Sequence, residues 1–251
     1  LAPERRGMEP AALREDMVDS LEHDAKSVVD TDEVGLAMRT VPREAFVDDE
    51  RRAYADQSLE HRGTRVLSPS TAARLLEVLE PDPGDTVLVV GAGVGYTAAV
   101  LAEITGGRSV HAVDITRPLV HDARRNLADA GYPEVLVDCR DGARGLPEYA
   151  PYDRILVEAA AVDPPRALHD QLAPDGRLVL PRGHGPRQTL TAVAADGTET
   201  THGPVAFDPL LADGEQAGAI ERNRTAREDA ERAARAAQSQ TGWEQDWIEW
   251  D

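Results

Sequence analysis

The sequence predicts an α/β fold, a mostly parallel sheet with helices on both faces, preceded by short N-terminal helices and followed by a helical extension. Three observations predict it. Between residues 86 and 182 apolar strand-like runs alternate with helix-like runs, the pattern of repeated β-α-β units. The run "LVVGAGVGYTAA" at 88–99 passes from apolar residues into three glycines and on into an alanine-rich helix pattern. Finally, "TLTAVAADGTETTHGPVAFDPL" sets an Asp-Gly turn between two strand-like stretches, an antiparallel finish to the sheet.

The elements follow in order. Residues 11–40 carry helical spacing, with Met17 and Leu21, then Val34 and Met38, separated by acids, and Pro42 marks a stop. Two short helices are expected there. "STAARLLEVLE" at 70–80 reads as an amphipathic helix opened by a Ser/Thr cap, for which Ser70 is the favoured residue, and "PDPGD" ends it. Strands are expected at 86–90, 109–115, 135–141, 152–160 and 176–182, with helices at 117–130 and 164–172. The chain thus divides into 1–211, made of an N-terminal helical segment over residues 1–80 and an α/β core over 81–211, and an extension 212–251. The extension is alanine-rich with charges all round, and its Trp243, Trp247 and Trp250 share one helical face. That face either packs back on the domain or meets a partner or a second copy.

Composition narrows the function classes. Forty-six acidic residues against 27 Lys plus Arg give a formal charge of −19, which repels a nucleic-acid backbone and disfavours nucleic acid as a partner. Lys26 is the only lysine, and such an acidic, Lys-poor, Ala-rich chain looks halophilic: a carboxylate surface whose self-repulsion salt screens. Cys139 is the single cysteine, so no intrachain disulfide is possible and a cytoplasmic protein is expected. The run 87–102 is too short and too broken by glycine to span a bilayer, so no membrane segment is expected. Nothing calls for a metal. The histidines, among them His61, His111 and His184, read as surface or structural groups.

The glycine loop carries the chemistry. A strand ending in Gly-x-Gly-x-Gly and feeding a helix brings backbone N–H groups and the positive helix end close to a ligand, because no Cβ blocks approach. Gly91, Gly93 and Gly95 fit a methyltransferase pattern, and Gly93, Gly95 and Ala98 fit the G-x-G-x-x-A form of a dinucleotide fingerprint. Asp114 closes the next strand 23 residues beyond Gly91, a spacing at which an acid accepts hydrogen bonds from ribose hydroxyls. Either cofactor would use it, and the loop alone leaves both open.

Motifs outside the loop separate them. "VGLAMRTVPREAFV" at 34–47, "AYADQSL" at 53–59, "PGDTVLVVGAGVGYTAAVLAE" at 83–103, "RDGARGLPEYAPYDRILVEAAA" at 140–161, "LAPDGRLVLPRG" at 172–183 and "VAFDPL" at 205–210 together resemble the protein-L-isoaspartate O-methyltransferase family, in that family's order. The resemblance covers about 11–211 and implies a Rossmann-like sheet of a class I methyltransferase that binds S-adenosylmethionine. It implies further that Gly91, Ala92, Gly93 and Gly95 line the cofactor's amino-acid end, Asp114 the ribose, and Asp141 with Gly142 the adenine. The implied reaction is methylation of an isoaspartyl carboxylate in a damaged protein or peptide. A carboxylate is already a nucleophile at neutral pH, so this chemistry needs alignment and removal of water rather than a general base.

Three positions depart from the family's pattern. Its substrate loop carries a serine near the methyl acceptor; alignment through Pro69 puts Leu67 there, and Ser68 or Ser70 could present a hydroxyl after a small shift. The acid two residues before the first glycine is Val89. Where the family reads T-A-A after the fourth strand, this chain reads Glu158, Ala159, Ala160, which places a carboxylate on the substrate side unless it is protonated or paired, with Arg65 as the available arginine. The departures leave isoaspartyl methylation, methylation of another acceptor, and cofactor or partner binding without catalysis as the readings to separate.

Overall fold

A computed structural model of the chain describes residues 9–23 and 25–211. The expected extension and its tryptophans lie outside them. Two helices, α1 (Pro10–Glu22) and α2 (Asp32–Thr40), open the fold, and the second stops two residues before Pro42 as the sequence suggests. A short hairpin follows, β1 (Leu59–His61) and β2 (Thr64–Val66), joined through Arg62 and Gly63, both at positive φ. The sequence reading missed this hairpin. Its strands are three residues each, too short to show a period of two, and the one available signal is the Arg-Gly pair at a two-residue turn.

Helix α3 (Pro69–Leu79) then leads to β3 (Val87–Val90), α4 (Tyr96–Thr105), β4 (Val110–Asp114), α5 (Arg117–Asp129) and β5 (Leu136–Cys139), close to the expected spans. The second half departs more. β6 (Tyr152–Val157) ends earlier than expected, because Ala160 and Ala161 leave the ladder for isolated bridges to Pro209 and Arg182. The helix expected at 164–172 is a single turn, α6 (Arg166–His169), preceded by Pro164 and Pro165. Strand β7 (Leu172–His184) takes over the rest, its register on β6 shifted between Tyr152 and Arg154. β8 (Arg187–Ala194) and β9 (Glu199–Val205) form the antiparallel finish around Asp196 and Gly197.

The seven-stranded sheet has the order β5-β4-β3-β6-β7-β8-β9, parallel from β5 to β7. β3 is central because its four residues, Val-Leu-Val-Val, are buried on both faces. Val87 and Val89 join the larger core with α1 to α5, whereas Leu88 and Val90 face a smaller one built from Leu146, Tyr152, Ile155 and Leu168. The helices are thus distributed unevenly. Among the described residues one face carries α1 to α5, and the other is covered by α6 and the short turns at 142–144 and 147–149, where prolines break up the chain. The order in which strands are added reverses at β3, with β4 and β5 on one side and β6 and β7 on the other, and the crevice at such a reversal, outside the carboxyl ends of the strands, is where open α/β sheets bind ligands.

Candidate active site

Residues from three neighbouring strand ends meet at that crevice. Gly91, Gly93 and Gly95 all have positive φ, so the loop turns back sharply between β3 and α4. At Gly93 a Cβ would meet nothing nearer than the Gly91 carbonyl at 3.9 Å, so its missing side chain leaves open space above the loop. Gly142 is a glycine for another reason. A Cβ there would collide with Cγ1 of Val90, so the turn after β5 packs directly onto the end of β3.

The loop's amides are largely spent within the protein. The Val113 carbonyl on β4 accepts from the N–H of Gly91 at 2.8 Å and of Ala92 at 3.0 Å, and the Ala92 carbonyl accepts from Gly95 at 2.8 Å. Gly93 donates to Oδ2 of Asp114 at 3.0 Å, while Oδ1 of the same carboxylate takes the Thr116 amide at 2.8 Å. The expectation of N–H groups turned toward a ligand is therefore corrected at these four residues. Asp114 pins the loop as well as ending β4. Burial pushes its carboxyl above the usual carboxylate range, with the amides of Thr116 and Gly93 opposing the shift. Each oxygen keeps a second lone-pair direction, so ribose hydroxyls remain possible partners.

Glu158 stands across the loop from Asp114, on the end of β6, with its amide bonded to the Val90 carbonyl at 2.8 Å. A Cβ built at Gly91 would lie 3.6 Å from the Glu158 Cβ, so the side chain borders the loop directly. Its Oε1 is buried and has no hydrogen-bond partner. Burial raises the carboxyl to about 8, the Thr97 hydroxyl on α4 opposes the shift and the charge of Asp114 adds to it. Arg65 does not pair with Glu158. Its Nη2 meets Oδ1 of Asp208 at 3.2 Å, at the solvent-exposed rim.

Val89 is fully buried in the larger core, between Ala112 on β4 and Leu156 on β6. Asp141 caps the turn after β5, accepting the Ala143 amide at 3.0 Å, which places it beside Gly142 at the carboxyl edge of the sheet. Leu67 is partly buried against the core, and its carbonyl accepts from Nη2 of Arg43 at 2.5 Å. The cap of α3 is Ser68 rather than Ser70: its Oγ accepts the Thr71 amide at 3.2 Å and contacts Oγ1 of Thr71 at 2.8 Å. Pro69 at the first helical position shifts the helix start one residue earlier, which makes Ser68 the capping residue. Ser70 donates its amide to Asp56 at 3.0 Å instead.

Sequence reasoning missed Arg43. It is fully buried, donates through Nε to the Ala53 carbonyl at 2.7 Å, and lies 4.4 Å from the centre of the Tyr96 ring, which follows the glycine loop. One side chain thus ties the 43–46 turn, the segment before the hairpin, the loop at 67 and the start of α4. The hairpin is fixed separately: His61 bridges Asp48 at 2.9 Å and Asp122 of α5 at 3.0 Å, a structural role as expected. His111 is likewise structural, buried and stacked on Tyr149 at 4.5 Å.

Comparison with known proteins agrees with this architecture. The family model described as protein-L-isoaspartate(D-aspartate) O-methyltransferase matches residues 12–212. Protein-L-isoaspartate O-methyltransferase of Aeropyrum pernix is 45% identical over 184 residues, 70% of this chain and 71% of its own. The Methanosarcina mazei protein of that name is 39% identical over 207 residues, 79% of this chain and 83% of its own. Among solved structures, a Plasmodium falciparum chain in complex with S-adenosyl-L-homocysteine superposes with a TM-score of 0.70 at 20% identity, covering 79% of this chain and 98% of that one. With the motifs, the strand order and these matches in agreement, the chain belongs to the protein-L-isoaspartate O-methyltransferase family.

Proposed function

We propose that the protein transfers a methyl group from S-adenosylmethionine to the carboxylate of isoaspartyl residues in proteins and peptides. One observation carries the choice of cofactor. The loop amides of Gly91, Ala92, Gly93 and Gly95 are already bonded, and two carboxyl groups, the buried Asp114 and the half-buried Glu158, flank the loop. A pyrophosphate needs free donors, which these four residues do not offer, so a dinucleotide is poorly served here. A cationic ligand is well served, and the open space above Gly93 admits its close approach to the backbone.

When bound, the cofactor supplies a methyl group activated by a positively charged sulfur. The chain's own task is to bind, align and keep water out. Asp114 is placed to accept from ribose hydroxyls, and the turn at Asp141 and Gly142 to border the adenine. On the acceptor side Leu67 offers a carbonyl fixed by Arg43, and the Ser68 hydroxyl is engaged in the cap. No residue needs to take a proton, since the acceptor is already ionised.

The test is transfer of labelled methyl from S-adenosylmethionine to an isoaspartyl peptide and to its ordinary aspartyl counterpart in molar KCl. Label on the first alone is expected. Cofactor binding without label on either would sink the acceptor assignment and favour a different acceptor, the reading to which the Ser68 cap and the Leu67 side chain lend weight.

The partner in this reading is a protein or peptide, and the net charge of −19 argues against nucleic acid. Among the described residues no helix is long and apolar enough to cross a membrane. A cytoplasmic location fits a chain with one cysteine. We also propose Trp243, Trp247 and Trp250 as a contact with a partner or a second copy, checked by whether a chain ending near residue 212 changes its mass in solution.

A further inference from the structure

We propose that Glu158 is the acceptor for the ammonium group of the cofactor's amino-acid end, replacing from β6 an acid that β3 lacks at Val89. The inference rests on the cofactor reading above. The ligand's course is set by the two acids: Asp114 on β4 lies on one side of the glycine loop and Glu158 on β6 lies on the other, with Gly91 between them. A ligand whose ribose meets Asp114 and which crosses the loop brings the end remote from the ribose to Glu158. In S-adenosylmethionine that end carries an ammonium and a carboxylate, with the sulfonium between them and the ribose.

Glu158 is equipped for a cation and has none. Oε1 is buried without a partner, although the side chain borders the loop. A buried polar oxygen left unmatched is costly, so its retention calls for a partner that arrives with the ligand. The groups felt by the carboxyl are the Thr97 hydroxyl of α4 and the Asp114 carboxylate of β4, neither of which supplies positive charge. No arginine acts on the carboxyl: Arg65 pairs with Asp208, and Arg182 of β7 with Asp163 and Glu199. Its neighbour on β3, Val90, offers only its carbonyl, which takes the Glu158 amide.

A proton count follows. Without ligand the carboxyl holds its proton to about pH 8, and an ammonium can pair only with the ionised form, so binding at neutral pH expels that proton to solvent. Calorimetry of the full chain in buffers of different ionisation enthalpy reads this directly. Close to one proton should be released per S-adenosylmethionine at about pH 7, with affinity rising up to about tenfold per pH unit until about pH 8 and flattening above it. S-adenosylhomocysteine, which keeps the ammonium and lacks the sulfonium, should behave alike; 5′-methylthioadenosine, which lacks the amino-acid end, should release none. Glu158→Gln should abolish the release and weaken both amino-acid-bearing ligands about ten- to a hundredfold, leaving 5′-methylthioadenosine unaffected.

Proton release with S-adenosylmethionine but not with S-adenosylhomocysteine would move the contact to the sulfonium and overturn the assignment. Binding of both without proton release overturns it too, while leaving the cofactor reading intact. If the parent binds neither, the cofactor reading itself fails. The proton measurement is made on the parent, so the outcome does not depend on how well the variant folds.

Discussion

Arg43 and Leu67 are joined by a 2.5 Å hydrogen bond from a buried guanidinium to a main-chain carbonyl. The contact links the 43–46 turn to the segment where the family keeps its acceptor-side serine, and the same guanidinium faces the Tyr96 ring. Arg43→Lys keeps a charge but loses the planar fork that serves both the Leu67 and Ala53 carbonyls. The variant should lose about 2 kcal/mol of stability, and the KM for an isoaspartyl peptide should rise while the cofactor Kd stays within about twofold. A Kd that worsens as much as KM would place the effect on α4 instead of the loop at 67.

Glu158 makes the ligand-free protein sensitive to alkali. A glutamate ordinarily ionises near 4.5, whereas the folded protein keeps this proton to about 8. Between those values the folded state binds more protons than the unfolded one, so stability falls as pH rises and levels off above about 8. Glu158→Gln removes that slope and should be more stable than the parent by about 3 to 5 kcal/mol at alkaline pH, with little difference near pH 4. Denaturant unfolding at several pH values checks this; parallel pH curves for parent and variant would contradict it.

Two glycines at the site should respond in opposite ways. Gly93→Ala places a methyl group in open space at a φ of +52°, a strain of about 1 to 2 kcal/mol, so the fold should survive while cofactor affinity collapses. Gly142→Ala drives a methyl group into the Val90 side chain and should damage the fold itself. Thermal melting and calorimetry on the two variants separate them.

Ser68→Ala removes the cap of α3 and should cost about 1 kcal/mol of stability without a comparable loss of kcat. A large fall in kcat with stability unchanged would show that the hydroxyl serves the acceptor after all.

Stability should also rise between dilute buffer and molar KCl, because ions screen the self-repulsion of a surface with net charge −19. A melting temperature indifferent to salt would remove the halophilic reading.

The scaffold was legible because its signals are local. Val87 to Val90 are apolar without interruption, Asp196-Gly197 marks its turn, and the glycines announce the loop. The residues that the resemblance assigns to the cofactor, Gly91 to Gly95, Asp114, Asp141 and Gly142, gather at one crevice, since each lies at or just past the end of a parallel strand. What stayed hidden depends on tertiary partners. Whether Ser68 or Ser70 caps α3 turns on one proline, and whether Arg65 reaches Glu158 turns on Asp208, some 143 residues away. Arg43 was invisible as a buried anchor because nothing in "VPREAF" says that the arginine points inward.

The loop is riveted from both sides, by the Val113 carbonyl of β4 to Gly91 and Ala92 and by the Val90 carbonyl to the amide of Glu158. The binding cradle therefore has no existence apart from the docking of three strands, the last of which arrives more than 60 residues after the first. With the ligand contacts proposed above, a chain still emerging from synthesis cannot capture its ligand until β6 has closed against β3. Occupancy of the crevice thus reports completion of the central sheet, and ligand binding stabilises the whole parallel array rather than a single loop.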